Sequence, residues 1–226
     1  MRRYEHTYTI RAPSYLELEL EGDDGDVLIT GWRADIDATL DDGDMTLEDI
    51  RTDRISIRAE DGDVEARGIE GELFLTSDDG DIRISDCKVS WGRFRLEDGD
   101  LAIDDCVGDF DIVSDDGYVR MRSIESSELD VRVEDGDIRI ELVGGSPADV
   151  NLESDDGRIG IDLASTIAVD FSLASDDGRI TVNVPDGAVK EERRNFVSGE
   201  LNGGGGRLRV RSSDGSVRLS VSGSGT

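Results

Sequence analysis

Lysine is nearly missing from this chain: only Lys88 and Lys190 stand among its 25 basic residues. Histidine occurs once, cysteine twice, proline three times, and aromatic residues make up 5% of 226 positions. Each scarcity excludes something. His6 is the one histidine, so serine-protease-like triads and histidine-rich metal centres have no material to work with. Two cysteines without a nearby histidine do not make a zinc site. No apolar run approaches the ~18 residues of a membrane-spanning helix, so membrane insertion is not expected. Positive charge in excess is also absent: the net charge is −29. A sequence-independent nucleic-acid binder needs a basic footprint, so nucleic acid is not an expected partner. Anionic membrane surfaces are disfavoured for the same reason. The first residues lack the apolar core of a signal peptide. The chain as written is therefore expected in the cytoplasm, or in the cell envelope if a leader or anchor is missing.

Thirty-six aspartates and eighteen glutamates supply the negative charge. Acids far in excess of bases, with arginine almost replacing lysine, resemble proteins of extreme halophiles, where molar salt screens the repulsion. An acidic protein from a GC-rich genome would look similar. At 36% hydrophobic residues the composition alone would suit a disordered chain, but the order of the residues says otherwise.

Asp-Asp-Gly or Glu-Asp-Gly recurs with its glycine at Gly25, Gly43, Gly62, Gly80, Gly99, Gly117, Gly136, Gly157 and Gly178, and Ser213-Asp214-Gly215 adds a tenth copy. The steps run 18, 19, 18, 19, 18, 19, 21, 21 and 37 residues. Apolar residues form columns seven and five positions before each glycine, and two and four after it. This alternation is the period-2 signature of strands with one buried face. Another column, seven after the glycine, holds Trp32, Ile50, Ile69, Cys87, Cys106, Ile124, Val143 and Ala164. All length variation falls in the short loop that follows. A finer two-repeat period places Glu60, Glu97 and Glu134 in alternate copies, with Arg58, Arg95 and Arg132 two positions earlier.

Two architectures fit. Asp-Gly between alternating strands is a strong hairpin signal, which would give an antiparallel hairpin meander. The favoured reading is all-β: a single-stranded β-solenoid of about ten coils of 18–21 residues, with like positions stacked about 4.8 Å apart. Stacking explains why bend and corner positions form columns too. The solenoid domain is expected over residues 1–221. Within it, 1–17 form an N-terminal cap and 183–207 an irregular coil or loop before the last turn, and 222–226 are a flexible tail.

The repeated Ser-Asp-Asp-Gly-Asp-Ile and Ser-Asp-Asp-Gly-Arg-Ile strands, the run Asn195-Phe196-Val197-Ser198-Gly199-Glu200-Leu201, the glycine cluster after it and Ser212-Ser213-Asp214-Gly215-Ser216-Val217-Arg218-Leu219 together resemble the toast-rack, β-strand-repeat putative adhesins, a domain-of-unknown-function group of bacteria and archaea. That resemblance implies a β-helix-like fold and a loose association with envelope stress responses in some members. It implies no catalytic residues.

The chemistry to weigh lies at the bends. Stacking would repeat the aspartates before the glycines, Asp42, Asp61, Asp79, Asp98, Asp116 and Asp135 among them, every ~4.8 Å. Neighbours would then repel by about 0.9 kcal/mol in bulk water and roughly four times that near a protein surface. One reading makes these six residues a cation edge, with Ca²⁺ as the hard ion that suits oxygen donors. The other is turn chemistry, with Asp bonding local amides and Gly supplying positive φ, and Arg83, Arg120 and Arg139 supplying neutralising charge. Cys87 and Cys106 share a column in adjacent coils and are expected as buried free thiols. Trp32 is expected to pack near the cap, and Trp91 to sit at a rim. An enzyme is not expected, because the loops are short and a −29 surface repels polyanions. The expected function is a non-enzymatic acidic scaffold or interaction protein of the adhesin type, with a basic protein as partner. A Ca²⁺-binding or other cation-binding structural module is the first alternative, and a carbohydrate-active β-helix the second.

Overall fold

The structure is a computed structural model that describes residues 8–144 and 148–222. His6, Tyr4 and residues 223–226 of the expected 222–226 tail lie outside the described residues, and Ser222 ends the strand Val217–Ser222. The described chain is all strand, turn and bend, without helix.

Each Asp-Gly bend joins a strand on one sheet to a strand on a second. The strands of one coil pair with the coils above and below it, parallel and in register. Leu18 lies beside Ile36, Leu20 beside Ala38 and Asp24 beside Asp42; Val27 lies beside Met45 and Ile29 beside Leu47. The same register recurs coil after coil up to the pairing of Asp149–Asp156 with Glu128–Asp135. Parallel in-register pairing is what a solenoid requires and a hairpin meander forbids. Eight coils between residues 18 and 164 stack in chain order.

The apolar columns meet between the two sheets. Ile36, Ala38 and Leu40 face inward from one sheet and Met45, Leu47 and Ile50 from the other half of the coil, all at most 1% exposed. One departure from the column pattern has a steric cause. Gly92 occupies a position that is apolar elsewhere, because a Cβ there would stand 2.7 Å from the Phe110 ring and 3.0 Å from that of Phe94. The two rings stack at 6.5 Å. From Gly43 to Gly117 the bend glycines are required twice over. Gly43 has φ 116°, and a Cβ on it would lie 2.6 Å from the carbonyl oxygen of Gly25 in the coil above.

The corner six residues after each of the first six bend glycines is left-handed. Gly31, Asp49, Gly68, Asp86, Asp105 and Ser123 have φ between 54° and 68°. Gly, Asp and Asn are the residues that enter this region at least cost. The turn aims the next residue inward, so Ile50, Ile69, Cys106 and Ile124 are fully buried. Cys87 and Cys106 sit in this column and are bonded to each other, with Cα atoms 4.6 Å apart. The expectation of free thiols is therefore corrected. Stacking brings the two Cα atoms within the range a disulfide spans.

The C-terminal third corrects a further expectation. Residues 183–207 are not irregular: Val189–Arg193 and Phe196–Leu201 form an antiparallel pair, and Phe196–Leu201 adds antiparallel to Val169–Ser175. Nor does the last coil stack last. Gly206–Ser212 lies between Asp149–Asp156 and Val169–Ser175, parallel to both. Val217–Ser222 likewise lies between Ile159–Ala164 and Ile180–Asn183. The sequence Asn202-Gly203-Gly204-Gly205, all at positive φ, carries the chain around the end of Val169–Ser175 from one of its edges to the other. The Asn202 amide pins that wrap by donating to the carbonyls of Ser165 and Ile167 at 2.8 and 2.7 Å.

Candidate functional site

Three ladders run along the bends. The first is internal. Where the residue three before the glycine is serine it is buried, and at the last two bends it braces the turn: the amide of Gly178 donates to Ser175 Oγ and that of Gly215 to Ser212 Oγ, both at 2.8 Å, whereas Ser77 Oγ has no hydrogen-bond partner. Ser175 Oγ in turn donates to the Gly215 carbonyl, also at 2.8 Å.

The second ladder is the aspartate after the glycine. Asp26, Asp44, Asp63, Asp81 and Asp100 each accept, through Oδ1, the backbone N–H of the equivalent residue in the next coil at 2.9–3.2 Å. Asp137 does the same for Arg158 at 2.8 Å. These carboxylates are structural ties between coils. The Asp81 amide, followed by the Arg83 guanidinium 2.9 Å away, holds Asp63 below the ordinary aspartate range. Partial burial raises Asp137, but the Arg158 side chain and amide more than offset it, and the group ends below that range.

The third ladder is the aspartate before the glycine. The six predicted cation residues are all exposed. Asp42 stands beside Asp61, Asp61 beside Asp79, Asp79 beside Asp98 and Asp116 beside Asp135. Partial desolvation, followed by the charges of Asp24 and Asp61, holds Asp42 above the ordinary value. Asp214 is raised first by Asp156, which the insertion of the last coil makes its neighbour although chain order alone would put the two coils two positions apart, then by desolvation and by Asp177. Among the described residues no three metal-ligating side chains converge as a single ion site would need.

The arginines are engaged away from this column. Arg83 bridges Asp63 and Asp81 at 2.9 and 2.6 Å, Arg120 reaches Asp104 at 3.1 Å, and Arg139 reaches Asp162 at 3.5 Å. Asp111 receives both Arg93 and Arg95, at 3.1 and 2.8 Å. Burial works against its charge, yet the Arg95 hydrogen bond and the two guanidinium charges bring its carboxyl below the usual range. So the expected neutralising arginines are present, but they serve the strand faces and the second ladder.

Sequence reasoning passed over a further set of aspartates in the variable loops. Asp109 Oδ1 accepts three bonds, from the amide and hydroxyl of Ser127 and the amide of Glu128, at 2.8–3.1 Å. Asp35 Oδ1 accepts from Thr52 Oγ1 and the Arg54 amide. Both stand eight residues before a bend glycine, and that spacing was the available signal. Trp32 is half-buried and donates from Nε1 to the Leu16 carbonyl at 2.9 Å, tying the N-terminal segment to the first corner. Trp91 is half-buried beside Glu72.

With bends, ladders and the C-terminal glycine wrap in view, the comparison with known families is decisive. The model of the Toastrack DUF4097 family matches residues 69–220, more than half of the chain. The chain belongs to the Toastrack family. Its first coils, with bends at Gly25, Gly43 and Gly62, continue the Toastrack register on the N-terminal side of the matched region. Among solved structures, the chain is similar to a "putative cell adhesion protein" from Clostridium sporogenes, at 10% identity over 91% of this chain and 93% of that one, with a TM-score of 0.23. No curated protein matches this Toastrack chain. Among the described residues no helix is long and apolar enough to cross a membrane.

Proposed function

We propose that this Toastrack protein is a non-enzymatic, acidic β-solenoid of the adhesin type, acting as a rigid scaffold that presents its bend edge to a partner with a basic surface. The observation that carries this reading is the column of exposed, in-register aspartates before the bend glycines, in which desolvation and then the charges of Asp24 and Asp61 raise Asp42 while the nearby arginines are paired elsewhere. A cationic surface laid along that edge relieves the repulsion and gains complementary charge. The bonded Cys87 and Cys106 suit an oxidising compartment and favour the cell envelope over the cytoplasm. The test is association with poly-arginine and with polyglutamate in low and in molar KCl. Salt-sensitive binding to poly-arginine alone is the expected result. Indifference to poly-arginine at low salt, or turnover of a glycan, overturns the reading.

The same column supports a second reading, diffuse cation binding along the edge with Ca²⁺ as the favoured ion. It predicts that millimolar CaCl₂ raises the unfolding temperature beyond matched ionic strength, and that Asp79→Asn with Asp98→Asn removes the difference. A shift that survives both substitutions counts against it.

A further inference from the structure

The two ends of the stack carry different amounts of protection, and the N-terminal one is unfinished among the described residues. Leu18–Asp24 pairs on one side only, with Ile36–Asp42, and Val27–Thr30 pairs only with Met45–Glu48. The interior is correspondingly open there. Leu18, Leu20 and Val27 are half-buried, while Ile36, Ala38 and Met45, the same columns one coil further in, are closed to solvent. The outward residues of the open strand are acidic: Glu19 and Glu21 are exposed and have no cationic partner among the described residues. Leu28, on the second open strand, is 65% exposed.

The molecule also contains an example of what such an edge accepts. Its last coil, beginning Gly206-Arg207-Leu208-Arg209-Val210-Arg211-Ser212, enters between two coils of the stack. It buries Leu208 and Val210 and turns its arginines outward. Arg207 and Arg209 reach Asp149 at 2.6 and 3.7 Å, and Arg211 reaches Asp176 at 3.8 Å. A coil of this pattern laid on the N-terminal end in the common register puts Leu208-type and Val210-type residues beside Leu18 and Leu20. Its cations then fall beside Glu19 and Glu21, and its bend glycine falls beside Gly25. A second copy meeting this end symmetrically would instead set acid against acid, which costs energy.

We propose that the N-terminal end of the solenoid is a docking edge for a coil donated by a partner protein: an extended segment with apolar residues alternating with arginine or lysine, added in parallel to Leu18–Asp24 and Val27–Thr30. Strand addition draws affinity from main-chain hydrogen bonds and specificity from the alternating side chains. This goes beyond attraction of basic partners to the bend edge, because it depends on residue order as well as charge.

The test titrates the full chain with a synthetic peptide of its own residues 206–222, and with a scramble of identical composition. The expected result is saturable one-to-one binding of the ordered peptide, at least about tenfold tighter than the scramble, a difference near 1.4 kcal/mol. Glu19→Lys with Glu21→Lys should weaken it by at least about tenfold, while Glu60→Lys with Glu97→Lys, the same charge change on the bend edge, leaves it unchanged. Equal binding of the scramble, or equal loss in both double variants, overturns the docking edge while leaving the bend-edge reading intact. Absence of binding overturns it as well. So does self-association of the chain that Leu20→Lys abolishes, which would make a second copy the occupant.

Discussion

Among the described residues, the C-terminal end of this solenoid is covered over Val169–Ser175 and keeps an open edge only at Ile180–Asn183, whereas the N-terminal end is open on both of its strands, although both ends are built from the same coil. At the C-terminal end, Phe171 and Leu173 are 2% and 0% exposed because Phe196–Leu201 covers Val169–Ser175, burying Val197 and Leu201. At the N-terminal end, Leu18 and Leu20 occupy the same columns and remain half-buried. The capped end uses an antiparallel pair, a glycine wrap and an inserted coil. At the open end the half-buried Trp32 donates its indole N–H to Leu16 and the Arg33 amide donates to the Ser14 carbonyl. Open strand edges invite pairing, so covering one strand of the C-terminal end leaves the N-terminal end as the one where a whole coil can be added.

The comparison can be broken by mutation, and the largest effect should come from removing the inserted coil. Deleting residues 206–226 strips Val150, Leu152, Phe171 and Leu173 of their neighbours. Loss of the cooperative transition in urea, followed by circular dichroism, is expected. Deleting residues 1–12 should leave that transition in place.

A smaller contrast comes from placing a charge in each end. Val197→Asp buries an unpaired carboxylate under the cap and should cost about 3–5 kcal/mol. Leu20→Asp leaves its carboxylate near water and should cost about 1 kcal/mol. Denaturant midpoints at constant m-value decide the matter, and equal costs would show that the N-terminal end is sealed as well.

Core truncation sharpens the same point. Leu152→Ala, in a fully buried position, should cost about 3 kcal/mol, against about 1 kcal/mol for Leu18→Ala.

The smallest effect is the pH dependence of the bend edge. Asp42 and Asp214 are held above the ordinary value of 3.8, so the folded chain takes up their protons before the unfolded chain does. Their contribution to stability should therefore be fully present below 3.8 and be lost as pH rises through their raised pKa values. Asp63, Asp111 and Asp137 are held below 3.8. Their stabilisation is complete above that value and is lost as pH falls through their lowered pKa values. A stability maximum on the acid side of neutrality, flattened in molar KCl, is the expected profile from thermal melts. A monotonic fall from pH 7 would mean that repulsion in the aspartate column contributes nothing measurable.

Much of this was legible in the chain. Bend glycines, alternating columns and constant spacing on both sides of the bend define a coil of fixed length, and a coil this small buries a face only by stacking. The glycine at position 92 in an apolar column is not legible from the pattern, because only the placement of the Phe94 and Phe110 rings fills the space a side chain would need. Of the two acidic columns, the one before the glycine drew attention through its uniformity. The one after it proved to be the tie between coils, because only there does each Oδ1 face an amide of the next coil. The left-handed corner left a trace in the sequence, as Gly, Asp or Ser at one position. That trace does not distinguish a polar loop residue from a required backbone conformation.

The sequence by itself determined the coil: its length, its inward faces, its glycine bend and its negative charge. Periodic burial and close backbone approach allow no other residue types in those columns. Only the tertiary structure decided the order of the last coils, the bonding of Cys87 to Cys106 and the difference between the two ends. In-register stacking makes any coil an acceptable neighbour for any other, so the repeat alone cannot choose among them. Here the Asn202–Gly205 wrap and the pairing of Arg207 and Arg209 with Asp149 accompany the chosen order.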